Sequence, residues 1–523
     1  MTNEQIKELE KELWDAADQL RANSKLTAAE YKDPVLGLIL LRFAQNRYEE
    51  AKVQVEASIP DGPRGKRAAT KEDFTAAGAI MLPEVSKYDY LADLPESKDI
   101  AEAINEAMRQ IEVEYPDLAG ILPKNYQDFE TDLLRELIRV FNKDAVKKAT
   151  GDIFGRIYEY FLMKFSMQGA GAQEGGEFFT PPSLVQLIVN FIEPDHGIIH
   201  DPACGSGGMF VQTGHFVQTH SNRSVNEAIK CYGTELKTNN TKLAKMNLAI
   251  HGIEGKIIEA NSFYSDPHNL VGKCDFVMAN PPFNVNKIDR EKEFVKTDQR
   301  LFEGVGVPKT DNGNYMWMQY FYHYLNPSGR AGFVMSSSAT DAGHSEKLIR
   351  QKLIETGHVD CIVAVSNNFF YTRSLPCHLW FFDKGKLKEN QDKILMIDAR
   401  NVFRKVTTTI NDFSPEQMEG LTAIMKMYRG EEVNLNENEW TKKLFPDGHY
   451  QDVEGLCKIV DIEEVKEQDY SLTPGRYVGV TIFVDNDFDY KSRLNEITSE
   501  LNELHHASME MVAAIKSNSH DIL

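Results

Sequence analysis

The sequence predicts an α/β fold: a doubly wound, mostly parallel sheet preceded by an α-helical segment and followed by a C-terminal helix. Three observations predict it. Between about residues 195 and 385, short apolar runs alternate with stretches of helical periodicity, as strand–helix–strand units do. Nothing before residue 195 reads as strand-rich; there the apolar positions recur at helical spacing. The last ~35 residues place apolar side chains at alternating steps of three and four, the seam of a coiled coil or bundle.

Composition narrows the class. At 523 residues the chain exceeds one core and suggests about two to four domains. Apolar and charged contents of 42% and 26% are those of an ordinary soluble protein. No apolar run approaches the roughly 18 residues that span a bilayer, and the charged N-terminus does not read as a signal peptide. A cytoplasmic protein with no membrane partner is expected. The six cysteines (204, 231, 274, 361, 377 and 457) lack CxxC spacing, so neither a metal site nor a disulfide framework is indicated. The net charge of −21 runs against unaided nucleic-acid binding, which draws most of its affinity from neutralising phosphates. If nucleic acid is the substrate, positive field must come from local patches or from a partner.

Taken in order, helices are expected at residues 1–22, with Ile6, Leu9, Leu13, Ala17 and Leu20 on one stripe, and then at 35–51, 98–113, 128–141 and 152–168. The loop at 60–67 carries Arg64, Lys66 and Arg67. With Lys147 and Lys148 these are candidate phosphate contacts, or else ordinary solvated charges. Glycines and alanines at 169–176 read as a hinge about which the N-terminal segment closes. Strands are then expected near 198–201, 230–234, 256–259, 274–279, 331–336, 359–365 and 378–383. Helices fall near 182–192, 208–220, 238–251, 314–325 and 344–355. The expected organisation is a helical domain at 1–165, a glycine-rich hinge at 166–176, a catalytic domain at 177–400, a mixed extension at 401–480 and a helical tail at 481–523. The tail's seam runs through Leu494, Ile497, Leu501, Leu504, Ser508, Met511 and Ile515.

Two stretches carry chemistry. The apolar run Cys274–Ala279 ends in Asn280-Pro281-Pro282-Phe283, and no strand continues through two prolines. The chain must leave the sheet there, presenting the Asn280 amide oxygen, the Pro281 carbonyl and the Phe283 ring at the strand's end. Two acceptors beside a stacking face form a receptor for a planar molecule with an exocyclic amino group. Upstream, Ile198–Asp201 leads through Pro202, Ala203 and Cys204 into Gly205-Ser206-Gly207-Gly208 and a helix, where close-approaching backbone and unpaired N–H groups receive a ligand. Glu235 ends the next strand about 30 residues on, where a ribose diol would be held. The wiring suits a nucleoside cofactor, without the dinucleotide fingerprint or a Walker lysine.

Asp201-Pro202-x-x-Gly205-x-Gly207-Gly208 followed by Asn280-Pro281-Pro282-Phe283 resembles the S-adenosyl-L-methionine-dependent amino-methyltransferases, in particular the DNA adenine-N6 group. Gly176-Glu177-Phe178-Phe179-Thr180-Pro181 looks like that family's segment over the methionine moiety, and Asn261-Ser262 sits where it contacts the cofactor's adenine. Tyr158-Glu159-Tyr160, Arg350, Phe369-Phe370-Tyr371-Thr372 and the block at 472–479 extend the likeness to the modification subunit of Type I restriction-modification systems. The resemblance implies Asn280, Pro281, Pro282 and Phe283 as catalytic residues. It implies double-stranded DNA as substrate, a specificity subunit serving two modification subunits, and a restriction subunit that can join. Phe369 or Phe370 would supply a second face for the target base, or simply pack in the core. Methylation of rRNA guanine or protein glutamine, and a silent scaffold of the same fold, are the alternatives.

Overall fold

The computed structural model describes residues 3–62, 65–77, 79–149, 151–168, 180–305, 307, 312–370, 376–406, 410–434 and 438–479, with 498, 501, 505, 508 and 509 in the tail. Residues 1–479 form one unit and 480–523 another.

Helices α1 (Asn3–Ala22) and α2 (Ala28–Ser58) open the chain. α2 starts seven residues earlier than its periodicity suggests. Thr27 and Glu30 cap each other's backbone N–H upstream of Pro34. The box satisfies two orphan donors, which helps the helix carry an internal proline. Helices α3 (Ile100–Glu114), α4 (Thr131–Phe141) and α5 (Gly151–Met167) follow close to their expected positions. Their apolar stripes close a core around Trp14, Leu36, Ile104, Leu137 and Phe161.

After α6 (Pro182–Ile192) the sheet begins. Its strands are β1 (Gly197–Asp201), β2 (Ile229–Glu235), β3 (Gly255–Glu259), β4 (Cys274–Ala279), β5 (Leu325–Ser336), β6 (Val359–Val365), β7 (Cys377–Asp383), β8 (Lys393–Ala399) and β9 (Cys457–Asp461). Their spatial order is β9-β8-β6-β7-β5-β4-β1-β2-β3, with β7 and β9 antiparallel to their neighbours. β6 and β7 are buried at every position, as strands covered on both faces must be. Helices α6, α7 (Gly208–His220) and α11 (Pro415–Tyr428) cover one face; α9 (Asn314–Tyr324) and α10 (His344–Glu355) cover the other. Between β2 and β3, α8 (Thr238–Ile250) has two apolar faces. Ala244 and Leu248 join the sheet's core, whereas Leu243, Met246 and Ile250 join that of the N-terminal helices.

Three features differ from the expectation. The strand expected from 331 starts at Leu325, and the ladder is irregular between Cys274 and Phe276 where it passes Asn326-Pro327-Ser328-Gly329. β8 was not anticipated. The stretch at 401–480, expected as a mixed extension, contributes β9 to the same sheet, pairing Lys393 with Asp461 and Ile397 with Cys457. A five-residue strand between a loop and a short helix offers too few alternations to be recognised without its partner.

In the second unit, Thr498, Leu501, His505, Ser508 and Met509 are helical, and Leu501 and Met509 are exposed. The other positions of the expected seam, like the glycine hinge at 169–176, lie outside the described residues. No helix among the described residues is long and apolar enough to cross a membrane.

Candidate active site

Strand order reverses between β1 and β4, which leave β1 flanked by β2 on one side and β4 on the other. Ligands of doubly wound sheets bind in the crevice outside the strands' C-terminal ends at such a switch point. Ile199 pairs with Phe276 and His200 with Val277, so the turn after Asp201 and the tetrapeptide after Ala279 leave the sheet side by side.

The first wall is the glycine turn. Cys204 donates its N–H to the Thr234 carbonyl (3.0 Å), and Gly207 donates to the Cys204 carbonyl (2.8 Å). Gly205 and Gly207 have φ of 54° and 79°, a region that side chains disfavour. A Cβ on Gly207 would lie 2.9 Å from Leu248, whereas Cβ atoms on Gly205 and Gly208 would meet nothing within 4 Å among the described residues. The turn thus opens toward the N-terminus of α7, and a nucleoside cofactor fits this space. Asn247 of α8 supports it from behind, donating to the Ser206 carbonyl (3.0 Å).

Glu235 stands beside the turn. One carboxylate oxygen accepts from Gly205 N–H and the other from Lys237 N–H, each at 2.9 Å. Asp201 accepts from Ala203 N–H at 2.9 Å. Burial pushes the Asp201 carboxyl well above the usual range; the backbone bond opposes this, and nearby Glu235 adds to it. The loop after β3 closes the wall. Ser262 donates to the Pro202 carbonyl (2.6 Å), and the Asn261 side-chain oxygen accepts from Phe263 N–H (2.9 Å).

The second wall follows β4. Asn280 donates its amide N–H to Thr180 Oγ1 at 2.9 Å, which aims the amide's oxygen the other way. Phe283 is half-buried, with Phe370 edge-on at 6.4 Å and 89°. Phe369 is a core residue against Phe413 at 4.7 Å. Pro181 lies just before α6; Gly176, Glu177, Phe178, Phe179, Tyr371 and Thr372 lie outside the described residues.

Other singled-out residues take structural roles. Arg350 is buried and donates to the carbonyls of Ala342 and Tyr470 (both 2.7 Å) and to the Tyr315 hydroxyl (3.0 Å). The block at 472–479 is stitched to the end of β5: Leu472 N–H bonds the Thr340 carbonyl (2.9 Å), and Arg476 pairs with Asp341 (2.6 Å). Among the candidate phosphate contacts, Arg67 is held bidentately by Asp73, Lys66 donates to the Glu56 carbonyl (2.7 Å), and Lys147 lies 3.8 Å from Asp89. Arg64 is outside the described residues.

Two residues at the crevice escaped sequence reasoning in these roles. Thr180 was expected over the cofactor, not as the partner of Asn280, which lies 100 positions away. Leu236 is 57% exposed immediately after Glu235; a large apolar side chain directly after the acidic strand end was the available signal.

Fold and site define a class, the N-6 DNA methylases, whose family model matches residues 149–485; the model of the HsdM N-terminal domain matches residues 9–141. The MjaIX Type I restriction enzyme methylase subunit of Methanocaldococcus jannaschii is 35% identical over 516 residues, covering 95% of this chain and 88% of its own. The HindI methylase subunit of Haemophilus influenzae is 33% identical over 457 residues, covering 84% and 96%. The chain belongs to the methylase, or modification, subunits of Type I restriction-modification systems. The fold is shared with the type I methyltransferase subunit of Streptococcus thermophilus, at a TM-score of 0.72 and 19% identity over 91% of this chain and 100% of that one.

Proposed function

We propose that the chain transfers a methyl group from S-adenosyl-L-methionine to the N6 amino group of an adenine flipped out of double-stranded DNA. The observation that carries this reading is the register of β1 against β4, which sets the glycine turn beside Asn280-Pro281-Pro282-Phe283. The family match to N-6 DNA methylases favours DNA adenine over rRNA guanine, protein glutamine or a silent scaffold.

Gly205, Gly207 and Gly208 let the backbone approach the cofactor, Glu235 holds its ribose diol, and exposed Leu236 packs on its base. Asp201, Ser206, Asn261 and Ser262 line the same wall, with the segment from Gly176 to Pro181 over the methionine end. The cofactor supplies an electrophilic methyl on a good leaving group.

An adenine amino group is a poor nucleophile because its lone pair is delocalised into the ring. Asn280 Oδ1 and the Pro281 carbonyl accept its two N–H bonds and raise electron density on the nitrogen. The Thr180 contact fixes the Asn280 amide in the orientation this requires, and Pro282 rigidifies the turn. Positioning and electrostatics then suffice for in-line transfer without a covalent enzyme intermediate. Because the amino group is inaccessible inside a duplex, the base must flip out and stack on Phe283. Unstacking costs a few kcal/mol, offset by stacking of roughly 1–3 kcal/mol and by the two hydrogen bonds.

Sequence specificity comes from a separate specificity subunit flanked by two modification subunits, and a restriction subunit can join. The net charge of −21 supports this dependence, and the exposed Leu501 suits a helical docking seam in the tail. The N-terminal helical segment would clamp the DNA. Calorimetry with S-adenosyl-L-methionine, together with mapping of methylated adenines with and without the specificity subunit, tests the assignment. The chain alone is expected to bind cofactor but methylate poorly. Full-rate, sequence-specific methylation by the chain alone would refute the partner dependence, and absence of cofactor binding would refute the enzyme reading. Removing residues 490–523 should spare cofactor binding and abolish assembly with the specificity subunit.

A further inference from the structure

The segment leaving Phe283 makes a closed excursion before α9. Asn284 N–H donates to Asn314 Oδ1 (2.8 Å), Asn314 Nδ2 donates back to Asn284 Oδ1 (2.9 Å), and Gly313 N–H donates to the Val285 carbonyl (2.8 Å). From within the excursion, chain returns to the far wall of the crevice. Asp289 N–H donates to the Tyr264 hydroxyl (2.8 Å), and Lys292 Nζ sits 3.7 Å from the Tyr264 ring centre.

The deepest contact is Arg300. Its side chain is 0% exposed, and that of its partner Asp298 is 3% exposed. The guanidinium binds both Asp298 oxygens (2.8 and 2.7 Å) and spends its remaining donors on the same far loop and on the end of α9. They reach the Ser262 carbonyl (2.9 Å), the Ser265 carbonyl (3.4 Å) and the Tyr324 hydroxyl (2.8 Å), which donates onward to Asp266 (3.0 Å). Tyr320 stacks beneath it at 3.9 Å. A buried ion pair is a poor device for stability alone, since apolar side chains of like volume often serve as well. What the pair supplies is geometry: a rigid fork holds backbone carbonyls at fixed positions, as a lysine would not. Ser262 in turn donates to the Pro202 carbonyl at the start of the glycine turn.

We propose that Arg300, held by Asp298, is a positioning residue that sets the loop at 261–266 against the cofactor's base. The segment following the target-base tetrapeptide thereby governs cofactor affinity. This rests on the S-adenosyl-L-methionine reading above.

The test measures cofactor affinity by calorimetry, thermal melting, and transfer at saturating cofactor with the specificity subunit present. Four variants of the full chain are compared with the parent: Arg300→Lys, the double variant Arg300→Met with Asp298→Leu, Tyr324→Phe, and Lys386→Met. The double variant should lose about tenfold or more in affinity, because it removes the charge-assisted hydrogen bonds that hold the loop at 261–266. Arg300→Lys should fall between it and the parent, and Tyr324→Phe should lose about two- to fivefold, with saturated rates within about threefold throughout. Lys386→Met breaks a buried pair with Asp360 at the start of β6, the end of that strand away from the crevice; it should lower the melting temperature without changing affinity. Parent-like affinity in the folded Arg300 variants would overturn the proposal. Should the double variant not fold, unchanged affinity in Arg300→Lys and Tyr324→Phe would overturn it equally. A parent that fails to bind S-adenosyl-L-methionine would sink the cofactor reading, and the proposal with it.

Discussion

The two walls of the crevice are made of different material. On the β1–β2 side most hydrogen bonds run through backbone: Gly205 and Lys237 N–H groups on Glu235, Ala203 N–H on Asp201, and the Cys204–Gly207 turn. On the β4 side the groups at the strand's end are the Asn280 amide, the Pro281 carbonyl and the Phe283 ring, with Thr180 holding the amide. A wall of backbone is shaped by where the chain is allowed to turn, so damage there should appear as lost cofactor affinity. The opposite wall rests on side chains, Asn280 foremost, and damage there should appear as lost transfer.

The largest expected effect is that of Asn280→Ala. Transfer should fall by about 10²–10³-fold or more, the scale seen when one preorganised polar group is removed. S-adenosyl-L-methionine affinity should stay near parental. If calorimetry instead shows cofactor binding lost as severely as in a Glu235 variant, the walls are not divided in this way.

Glu235→Ala is the reciprocal experiment. It removes the proposed ribose acceptor and strands two backbone N–H groups. Hydrogen bonds to charged groups contribute about 1.5–3 kcal/mol, so affinity should drop by about ten- to a hundredfold. Turnover at saturating cofactor should recover much of the loss; a rate defect that saturation cannot relieve would contradict the assignment.

Phe283 sharpens the second wall. Phe283→Ala should weaken capture of the target base by about 1–3 kcal/mol, the worth of one stacking contact, while Phe283→Tyr keeps the ring and should be tolerated. Fluorescence of a 2-aminopurine placed at the target position would report both.

The last effect, on stability and not on transfer, concerns the sheet on which both walls stand. Burial pushes the His378 imidazole down to about 4, with Arg400 adding to the shift and Asp398 opposing it. The unfolded chain takes up that proton near pH 6.5, so the contribution to stability is complete above about 6.5 and is lost as the pH falls toward 4. Relative to the parent, His378→Gln should therefore flatten the decline of stability across this window by up to about 1.4 kcal/mol per pH unit. Parallel curves would mean that the ring is not held neutral.

Much of the crevice was readable because its signals are local. Two prolines after an apolar run end a strand whatever surrounds it, and glycines between a strand and a helix imply an open turn. The strands from Gly197 to Asp383 were recognisable for the same reason: each contains a compact apolar run bounded by turns or helical periods. What was not readable depends on distant pairing. β9 acquires its identity from β8 across some 60 residues of loops and helix. Arg300 sits in a polar run, Lys296-Thr297-Asp298-Gln299-Arg300, that looks like solvated surface. Only the fold reveals that two of these charges are buried together. Arg67, conversely, looked available for phosphate but is engaged by Asp73 six residues on.

The double-faced α8 bears on how such subunits diversify. With Ala244 and Leu248 in the sheet's core and Leu243, Met246 and Ile250 among the N-terminal helices, one helix belongs to two hydrophobic interiors. His251, at the end of α8, sits so close to Gly155 of α5 that a methyl group there would clash at 2.4 Å. A gene fragment starting at residue 177 would bare this apolar face to water and should express as aggregate unless Leu243, Met246 and Ile250 are made polar. By the same logic, recombination between relatives cannot exchange the amino-terminal third as an independent cassette. A crossover near residue 170 has to bring a compatible α8 with it, so the inheritable block is discontinuous along the gene.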